Sequence, residues 1–550
     1  MHKILFVIPP YVTFDRFVHP TFNERVVAKK NGFFGSVLTD MPIGVLSLSA
    51  YLKKYNPAQT QLLDFNILLS KAEKFEYQSF SELFRAVFAE KKWMDYAPDI
   101  IGISTLFTPS YYSMLDLAAV TREIYPKALI VAGGGVPTNM YQEIFSKSSC
   151  FDALCYGEGE KPFRELIEAK DKTGFLETSR SWITKRKTEH GESFQHDFIH
   201  HLDEIPFCDY GLCNIEDYGL NPAITAYNAG KNEKERAFHV MTSRGCPFHC
   251  CFCASHTVHG RSMRYNSIAR IREDFKKLRD EYGAKTLVFQ DDHFMADKQR
   301  VYAIIDIVKE LGVKVVFQNS LALYALDRSM LEALKSAGLD QLVLSIESGS
   351  SRVLKEIMHK PFDLSMARQV VKDCRDLGIY TNANILIGLP GETKKDIEDT
   401  REFLRTLDAN WYIIFCATPL LGSEMFKICL EKGYFKGHYM DCDYKKAIVE
   451  TEDFTTAFIE EKAYALNLEL NFVENSDLRH GRYETALKGF ENAIRAKNDH
   501  AFGFYFAAKC CKMMDHTEKH LFYKTKYQET IEKSSFWRNY AKQFGLISLG

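Results

Sequence analysis

The 550-residue sequence lacks a long hydrophobic run and lacks an excess of charge of either sign. No apolar stretch approaches the roughly 20 residues that a membrane-spanning helix needs. The 70 basic and 72 acidic residues leave a formal net charge of −2, so no overall field attracts nucleic acid or an anionic membrane. We therefore expect no membrane span and no nucleic-acid partner.

Cysteine is absent from the chain before Cys150, and the 14 cysteines show no spacing typical of a small disulfide-stapled domain. The N-terminus, "MHKILFVIPPYV", has one lysine and a short apolar run that stops at two prolines, which favours a first β-strand over a signal peptide. A reducing cytoplasm is the expected compartment.

Residues 1–170 alternate strand-like and helix-like stretches. Continuous apolar runs separated by helices predict an α/β domain, Rossmann-like, with a doubly wound parallel sheet that is buried on both faces. Ligands of such sheets bind beyond the carboxyl ends of the strands. The glycines at one such end allow close approach of a ligand, or only shape a tight turn. The predicted strands are 3–9, 60–65, 99–104 and 128–134, and the predicted helices are 44–55 and 110–125.

A second βα alternation begins at residue 236 and continues to about 450. Six strand–helix units in succession predict a partial (β/α)6 barrel with its chemistry at the C-terminal strand ends. Residues 171–235 are polar and mixed, which predicts an exposed linker with a hairpin. The predicted barrel strands are 237–243, 285–291, 313–319, 341–347, 380–388 and 411–418, with helices such as 268–283 and 365–378 between them.

Residues 451–550 are predicted to form a C-terminal α-helical region that docks on the barrel or caps it. Ala486, Phe490 and Ala493 have the small-then-aromatic spacing of the second helix of a tetratricopeptide repeat. In a second unit Ala508 fits the pattern, but Lys524 stands where an aromatic residue is expected. One TPR-like unit is therefore predicted, which is too short for an independent solenoid.

The stretch "TSRGCPFHCCFCASHTVHG" places four cysteines within eight positions, directly after the first predicted barrel strand. Core packing is one interpretation, since free cysteine packs like a small hydrophobic residue. A zinc site made by Cys250, Cys253, His256 and His259 is a second, although structural zinc sites usually take their ligand pairs from separate segments. The third is an iron–sulfur cluster that is held by three thiolates and has one open iron. Cys251 is then a spare residue with a packing role.

A C-x3-C-x2-C loop after the first strand of a βα barrel resembles the radical S-adenosylmethionine (SAM) superfamily. The resemblance implies that Cys246, Cys250 and Cys253 ligate a [4Fe-4S] cluster, whose open iron binds SAM and whose reduction yields a 5′-deoxyadenosyl radical. Phe252 matches the aromatic residue that commonly precedes the third cysteine, and we expect it to contact SAM.

Later strand ends match the same superfamily. "FQDDHFMAD" follows the second barrel strand, and the resemblance implies that Asp291 or Asp292 accepts hydrogen bonds from the SAM ammonium. "SIESGS" resembles the fourth-strand segment near the ribose and carboxylate of SAM, with Glu347 and Ser348 as the expected contacts. "ILIGLPGET" and "ATPLLGSEMF" resemble the fifth- and sixth-strand segments.

"MPIGVLSLSAYLKK", "PDIIGISTLFT", "VAGGGVPT" and "CYGEGEKPFRELIEA" resemble the N-terminal domain of cobalamin-binding radical SAM enzymes. The Asp-x-His-x-x-Gly motif that supplies a histidine ligand to cobalt in methionine-synthase-type domains is absent, as it is from many radical SAM members. The resemblance implies that cobalamin is bound by Ser104, Thr105, Leu106, Gly133, Gly134, Gly135 and Glu158.

The resemblance implies methylation of an unactivated carbon, with a small-molecule, natural-product or lipid substrate and an external electron donor such as flavodoxin or ferredoxin. A non-methylating radical reaction such as cyclisation, ring contraction or rearrangement, with or without cobalamin, is the alternative, and a zinc-stabilised scaffold is a distant one. An RNA-modifying methylthiotransferase does not fit, because those enzymes hold a second cluster on three N-terminal cysteines.

Overall fold

The computed structural model describes residues 2–20, 26–218, 236–441 and 446–546. Within these ranges no helix is both long and apolar enough to cross a lipid bilayer. Two α/β regions follow each other along the chain, and a group of helices completes it.

The N-terminal region contains one large sheet and a separate hairpin. The sheet has the strand order β4-β1-β5-β6-β7-β8, and its first five strands are parallel. The order of those five is the flavodoxin-like one, in which ligands bind at the carboxyl edge near the first strand. The strands are β1 (His2–Ile8), β2 (Val26–Lys29), β3 (Gly32–Gly35), β4 (Ala58–Asp64), β5 (Ile100–Ser104), β6 (Leu129–Gly133), β7 (Ala153–Cys155) and β8 (Trp182–Ile183).

Burial on both faces explains the apolar character of these strands. In β1, Leu5 and Val7 join one hydrophobic cluster, whereas Ile4, Phe6 and Ile8 join another on the opposite face. The predicted doubly wound sheet is thus confirmed. The helices that cover it are Phe14–Val18, Ile43–Tyr55, Phe65–Lys71, Phe80–Phe88, Lys91–Tyr96, Tyr111–Ile124, Gly135–Lys147, Glu160–Glu168, Lys172–Thr178 and Lys185–Glu189.

The beginning of the predicted linker is part of this sheet. Strand β8 pairs antiparallel with β7, and the Trp182 side chain is fully buried, with its Nε1 donating to the Pro162 carbonyl at 3.2 Å. Residues 171–189 therefore differ from the exposed connector predicted for them. Polar residues flank the two-residue apolar strand β8, and two residues are too few to show a periodic hydrophobic pattern in the sequence.

The second region is an open barrel of parallel strands. Strands β9, β12 and β13 form one sheet, strands β14, β15 and β16 form another, and β13 lies beside β14. Ala237, Val288 and Val316 form a small buried cluster of their own, apart from the core between strands and helices. The strands are β9 (Ala237–Val240), β10 (Ser243–Arg244), β11 (Arg264–Tyr265), β12 (Thr286–Phe289), β13 (Lys314–Phe317), β14 (Gln341–Glu347), β15 (Tyr380–Ile387) and β16 (Trp411–Cys416).

Most barrel helices begin with a side chain that caps the first backbone N–H groups. The capping residues are Ser267, Asp297, Asp327, Asp363, Thr393 and Ser423. The helices of this region are His256–His259, Ile268–Tyr282, Lys298–Leu311, Arg328–Ser336, Leu364–Asp376, Lys394–Thr406 and Glu424–Lys432.

The C-terminal helices pack against the last barrel strand, as predicted. Strand β16 lies at the edge of its sheet, and the Asn471 side chain pairs with it: its Oδ1 accepts from the Tyr412 N–H and its Nδ2 donates to the Tyr412 carbonyl, both at 2.7 Å. Trp411 packs edge-on against Phe472. The helices are Thr456–Leu468, Ser476–Arg479, Tyr483–Ala496, Ala501–Met513, Thr517–Lys533 and Ser535–Gln543.

Candidate active site

The cysteine loop is closed by a short antiparallel pair of strands. Strands β10 and β11 pair residue by residue, and the loop between them leaves from the end of β9. Gly245 begins the loop with a φ of +95°, and a Cβ at this position would lie 2.4 Å from the Ser262 carbonyl oxygen. Only glycine fits there. The Cys246 N–H donates to the Gly260 carbonyl at 3.3 Å, which fixes the curve of the loop.

The four cysteines separate into one buried and three partly exposed residues. Cys251 is buried in the barrel core, where its N–H donates to the Met358 carbonyl and its carbonyl accepts from the Met425 N–H. Cys246, Cys250 and Cys253 remain partly exposed. The structure thus places Cys251 in the packing role predicted for it and leaves the other three thiols available to a ligand.

Burial raises the pKa of the Cys246 thiol to about 11. Burial also raises the pKa of the Cys250 thiol, and the nearby Lys360 ammonium opposes that rise. Both thiols therefore need a strong positive charge to become thiolates at neutral pH, and a bound metal centre supplies such a charge. The chemistry of this donor set fits an iron–sulfur cluster.

The loop geometry does not support the mononuclear zinc interpretation. In the described ranges, no three His, Cys, Asp or Glu side chains converge on a point that a single metal ion could occupy. A cubane needs no such convergence, since each cysteine binds a different iron.

Asp291 and Asp292 hold the cysteine loop to the barrel wall. Asp291 is buried and accepts hydrogen bonds from the backbone and hydroxyl of Thr242 and from the Ser243 hydroxyl, at 2.6 to 3.2 Å. Asp292 accepts from the Gly245 N–H at 3.2 Å and contacts His259. Burial by itself would raise the pKa of Asp292, but His259 and the Gly245 hydrogen bond outweigh it and lower that pKa. A contact of either carboxylate with SAM stays a prediction.

Glu347 lies at the end of β14 in a conformation that is unusual for a residue with a side chain. Its φ is +65° and it is buried, which marks local strain of the kind that collects at functional sites. Its carboxylate lies 3.4 Å from the Lys360 ammonium, which in turn lies 5.5 Å from the centre of the Phe252 ring. Lys360, which the sequence did not single out, thus connects two predicted SAM contacts.

Ser348 is fully buried and bonded within the protein. Its hydroxyl lies 3.1 Å from the Thr400 hydroxyl and accepts from the Ser350 N–H at 3.1 Å. It fixes the turn that follows Glu347. Whether it also contacts SAM stays a prediction.

The predicted cobalamin residues come together at the carboxyl edge of the first sheet. The Thr105 N–H donates to the Gly133 carbonyl at 2.9 Å, so the ends of β5 and β6 form one continuous rim. Thr105 Oγ1 is buried without a hydrogen-bond partner, Ser104 is partly exposed, and Leu106 is 54% exposed. An unpaired hydroxyl and an exposed apolar side chain on a glycine-rich rim fit a large ligand of mixed polarity.

Gly134 is the position of this rim that tolerates change least. Its φ is +107°, and a Cβ there would lie 2.5 Å from the Thr105 carbonyl oxygen, a backbone atom that has no room to move. We expect Gly134→Ala to cost about 1–3 kcal/mol of unfolding free energy through backbone strain and to reduce cobalamin retention. Urea denaturation and the optical spectrum of the purified protein measure the two effects. Gly44→Ala, where the added Cβ meets no atom within 4 Å, is the control.

Glu158 belongs to a buried cluster of charges between the two α/β regions. Its carboxylate pairs with Arg264 at 2.6 Å and with Arg244 at 3.1 Å, and Arg244 also pairs with Glu160 at 2.7 Å. Glu158 therefore has a structural role in this cluster, and its contact with cobalamin stays a prediction. Because Arg244 and Arg264 lie on β10 and β11, the cluster ties the cysteine loop to the N-terminal region.

A second contact joins the rim directly to the cysteine loop. The Asn139 side chain, on the helix that starts at Gly135, donates to the Thr257 hydroxyl at 3.0 Å. Thr257 lies on the short helix that follows Cys253. The three free thiols and the glycine-rich rim therefore border the same region between the first sheet and the barrel.

An open parallel barrel with three available thiols after its first strand defines a radical SAM type of domain, and comparison with known proteins agrees. The family model "Radical SAM superfamily" matches residues 240–404, and the model "B12 binding domain" matches residues 40–167. The chain belongs to the cobalamin-binding-domain-containing radical SAM enzymes, and the prediction made from the cysteine loop and the rim is confirmed.

Curated relatives and a solved structure extend this result. The chain is 27% identical over 428 residues to an uncharacterized methyltransferase of Pyrococcus horikoshii, covering 78% of this chain and 83% of that protein. It is 26% identical over 371 residues to cytidylyl-2-hydroxyethylphosphonate methyltransferase of Streptomyces wedmorensis, and the match covers 62% of this chain and 69% of that protein. The fold is similar to that of the cobalamin-dependent SAM radical enzyme OxsB, which was solved with aqua-cobalamin and SAM bound. The TM-score is 0.63 at 15% sequence identity, and the match covers 100% of this chain and 82% of that one.

Proposed function

We propose that this enzyme methylates an unactivated carbon of a small-molecule substrate, with a [4Fe-4S] cluster, SAM and cobalamin as its cofactors. The observation that carries the proposal is the direct contact between the cysteine loop and the glycine-rich rim through Asn139 and Thr257. When bound, the cluster and SAM supply a 5′-deoxyadenosyl radical that removes a substrate hydrogen atom, and cobalamin supplies the methyl group.

Cys246, Cys250 and Cys253 would hold the cluster. Beside them, Glu347 and Lys360 present a carboxylate and an ammonium group 3.4 Å apart. This pair is complementary to the amino and carboxylate groups of SAM. Binding of SAM at the open iron would exchange the internal ion pair for two intermolecular ones, so neither charge would be left buried and unpaired.

The rim formed by Ser104–Leu106 and Gly133–Gly135 would hold cobalamin. Thr105 Oγ1 is fully buried and has no partner among the described residues, so a small movement of the rim would let it bond a polar group of the cofactor. The exposed Leu106 side chain would cover an apolar part of the cofactor and exclude water.

We propose that residues 1–170, together with the strand and helices of 171–189, form the cobalamin domain, and that the rest of 171–235 is the connection. Residues 236–450 would form the radical SAM domain and 451–550 a helical domain with one TPR-like unit. Buried Ala486, Phe490 and Ala508 support the repeat-like packing of that domain. A flavodoxin or ferredoxin would deliver electrons, and a reducing cytoplasm would suit the free thiols and the reduced cluster.

The experiment is anaerobic reconstitution with iron, sulfide and hydroxocobalamin, followed by gel filtration and an optical spectrum. We expect brown protein that retains a corrinoid, forms 5′-deoxyadenosine from SAM after reduction, and moves label from [methyl-14C]SAM to the corrinoid. If the protein forms 5′-deoxyadenosine but retains no corrinoid, the methyl-transfer proposal fails and a non-methylating radical reaction is favoured instead. A colourless protein that contains zinc would support the scaffold alternative.

A further inference from the structure

A carboxylate from the N-terminal region reaches the mouth of the barrel. Asp40 lies just before the helix Ile43–Tyr55, and its Oδ2 accepts a hydrogen bond from Gln318 Nε2 at 2.6 Å. Gln318 directly follows strand β13, and Met41, the residue next to Asp40, is buried in the barrel core. Asp40 therefore lies where the first sheet and the barrel meet.

Neutral groups make up the hydrogen-bond chain behind Asp40. Gln290 Nε2 donates to Gln318 Oε1 and lies 2.8 Å from His239 Nδ1. Burial lowers the pKa of His239 to about 4, so the ring is neutral at physiological pH and its Nδ1 accepts. These hydrogen bonds orient the Gln318 amide toward Asp40, but they bring no positive charge to the Asp40 carboxylate.

Asp40 has an unused hydrogen-bonding atom. Its Oδ1 is buried and has no hydrogen-bond partner among the described residues. Asp64, at the end of β4, is a second buried carboxylate nearby; it is bonded to Asn66 and Tyr218, and burial raises its pKa to about 6. In the described part of the chain neither carboxylate forms an ion pair, and the pKa of the Tyr11 phenol is raised first by burial and then by Asp64 and Asp40. Burial also raises the pKa of Asp40, so a negative charge on this carboxylate lacks stabilisation unless a cation pairs with it.

Tyr11 connects these two carboxylates to the proposed cobalamin rim, and its N–H donates to the Asn66 side chain at 2.7 Å. The Tyr11 ring packs edge-on against Phe107, with ring centres 5.0 Å apart, and Phe107 directly follows Leu106. Phe107 and Leu106 are 37% and 54% exposed. Asp40 is therefore positioned between the rim and the barrel mouth, which is the position a substrate would occupy between the two proposed cofactor sites.

We propose that Asp40 binds a protonated amino group of the substrate, so that the enzyme acts on an organic cation that carries a primary ammonium group. The inference rests on the proposed function and names its substrate class. A buried carboxylate without a counter-charge is costly, and an ammonium group offers three N–H donors, of which one fits Oδ1. The same field disfavours an anionic group such as a phosphonate at this position.

The test measures binding of n-hexylamine to the holoenzyme by saturation-transfer NMR in the absence of reductant and SAM. n-Hexanol and hexanoate are neutral and anionic probes of the same length. We expect hexylammonium to bind saturably and at least about tenfold more tightly than either probe, as is typical when a buried charge gains its partner. Asp40→Asn should lose that preference and Asp40→Glu should keep it. Glu123→Gln, which removes an exposed carboxylate of the same region, should behave like the unchanged protein.

Two outcomes would overturn the proposal. One is equal binding of the three probes by the unchanged protein, a result that does not depend on the folding of any variant. The other is an Asp40→Asn variant that keeps its preference for the amine but no longer retains cobalamin, which would make Asp40 a cofactor contact. Formation of 5′-deoxyadenosine by the unchanged protein is measured separately, so failure of the proposed function is distinguished from failure of the amine site.

Discussion

Alanine in place of Cys246, Cys250 or Cys253 is expected to reduce bound iron to background and to abolish formation of 5′-deoxyadenosine. In the proposed site each thiol would supply one of three ligands, and two cysteines would not hold a cubane in a partly exposed loop. Iron and sulfide analysis, together with chromatographic assay of 5′-deoxyadenosine after anaerobic reconstitution, measures both effects. The loss in each variant should be complete within detection, because the neighbouring Cys251 thiol is buried in the barrel core and is not presented to the cluster side of the loop.

Cys251→Ala is the matched control in the same loop. Its thiol is buried in the barrel core, so the variant should keep its iron and its activity. We expect it to lose about 1 kcal/mol of unfolding free energy, which is the typical contribution of one small buried group to stability. Iron loss in Cys251→Ala, or iron retained by any of the other three variants, would contradict the assignment of ligands.

Arg244→Met is expected to cost about 3–5 kcal/mol of unfolding free energy, the typical penalty for removing one partner of a buried ion pair. Arg244 contacts both Glu158 and Glu160, and all three side chains are at least nine-tenths buried. Methionine preserves much of the side-chain volume, so the loss of unfolding free energy measures the effect of removing the Arg244 charge. Urea denaturation of the apo-protein measures it.

The exposed pair of Arg85 and Glu123 gives the comparison. Arg85→Met should cost less than about 1 kcal/mol, because water screens an exposed pair. Costs of equal size for the two variants would show that the buried cluster contributes no more than a surface contact.

The same cluster predicts how stability depends on acidity. Burial raises the pKa of Glu160, but Arg244 and the hydrogen bonds around it outweigh burial and lower that pKa to about 2. A lowered pKa in the folded state contributes stability that is present above the unfolded value of about 4.3 and is lost as pH falls toward 2. In Arg244→Met the contribution should reverse, because a buried carboxylate without a partner gains from protonation.

The sequence predicted the strands well, because burial on both faces gives continuous apolar runs. The range predicted for β14, 341–347, is the range observed, and the other barrel strands agree to within three residues at each end. Strand β8 was missed because two residues cannot show a period. The turn chemistry of Gly134 was recognised from its neighbours, although its φ of +107° is a property of the fold.

The candidate site was predicted less completely, and the reason is sequence distance. The motif located Cys246, Cys250 and Cys253 because they lie in one loop. Arg244 and Glu160 are 84 positions apart in the sequence, and Gln318 and Asp40 are 278 positions apart. No local sequence pattern predicts contacts over such separations. The resemblance after the second barrel strand placed Asp291 among the expected SAM contacts, and it could not show the hydrogen bonds that Asp291 accepts from Thr242 and Ser243.

The Asn471 side chain, which pairs with the backbone of Tyr412, has a consequence for how the chain can be divided. Strand β16 ends the barrel without a neighbouring strand, and an open edge of this kind invites pairing between molecules. The C-terminal helices thus act as a protective cover for the catalytic barrel. A chain shortened to its two α/β regions would be prone to self-association and aggregation, even though every proposed cofactor ligand would still be present.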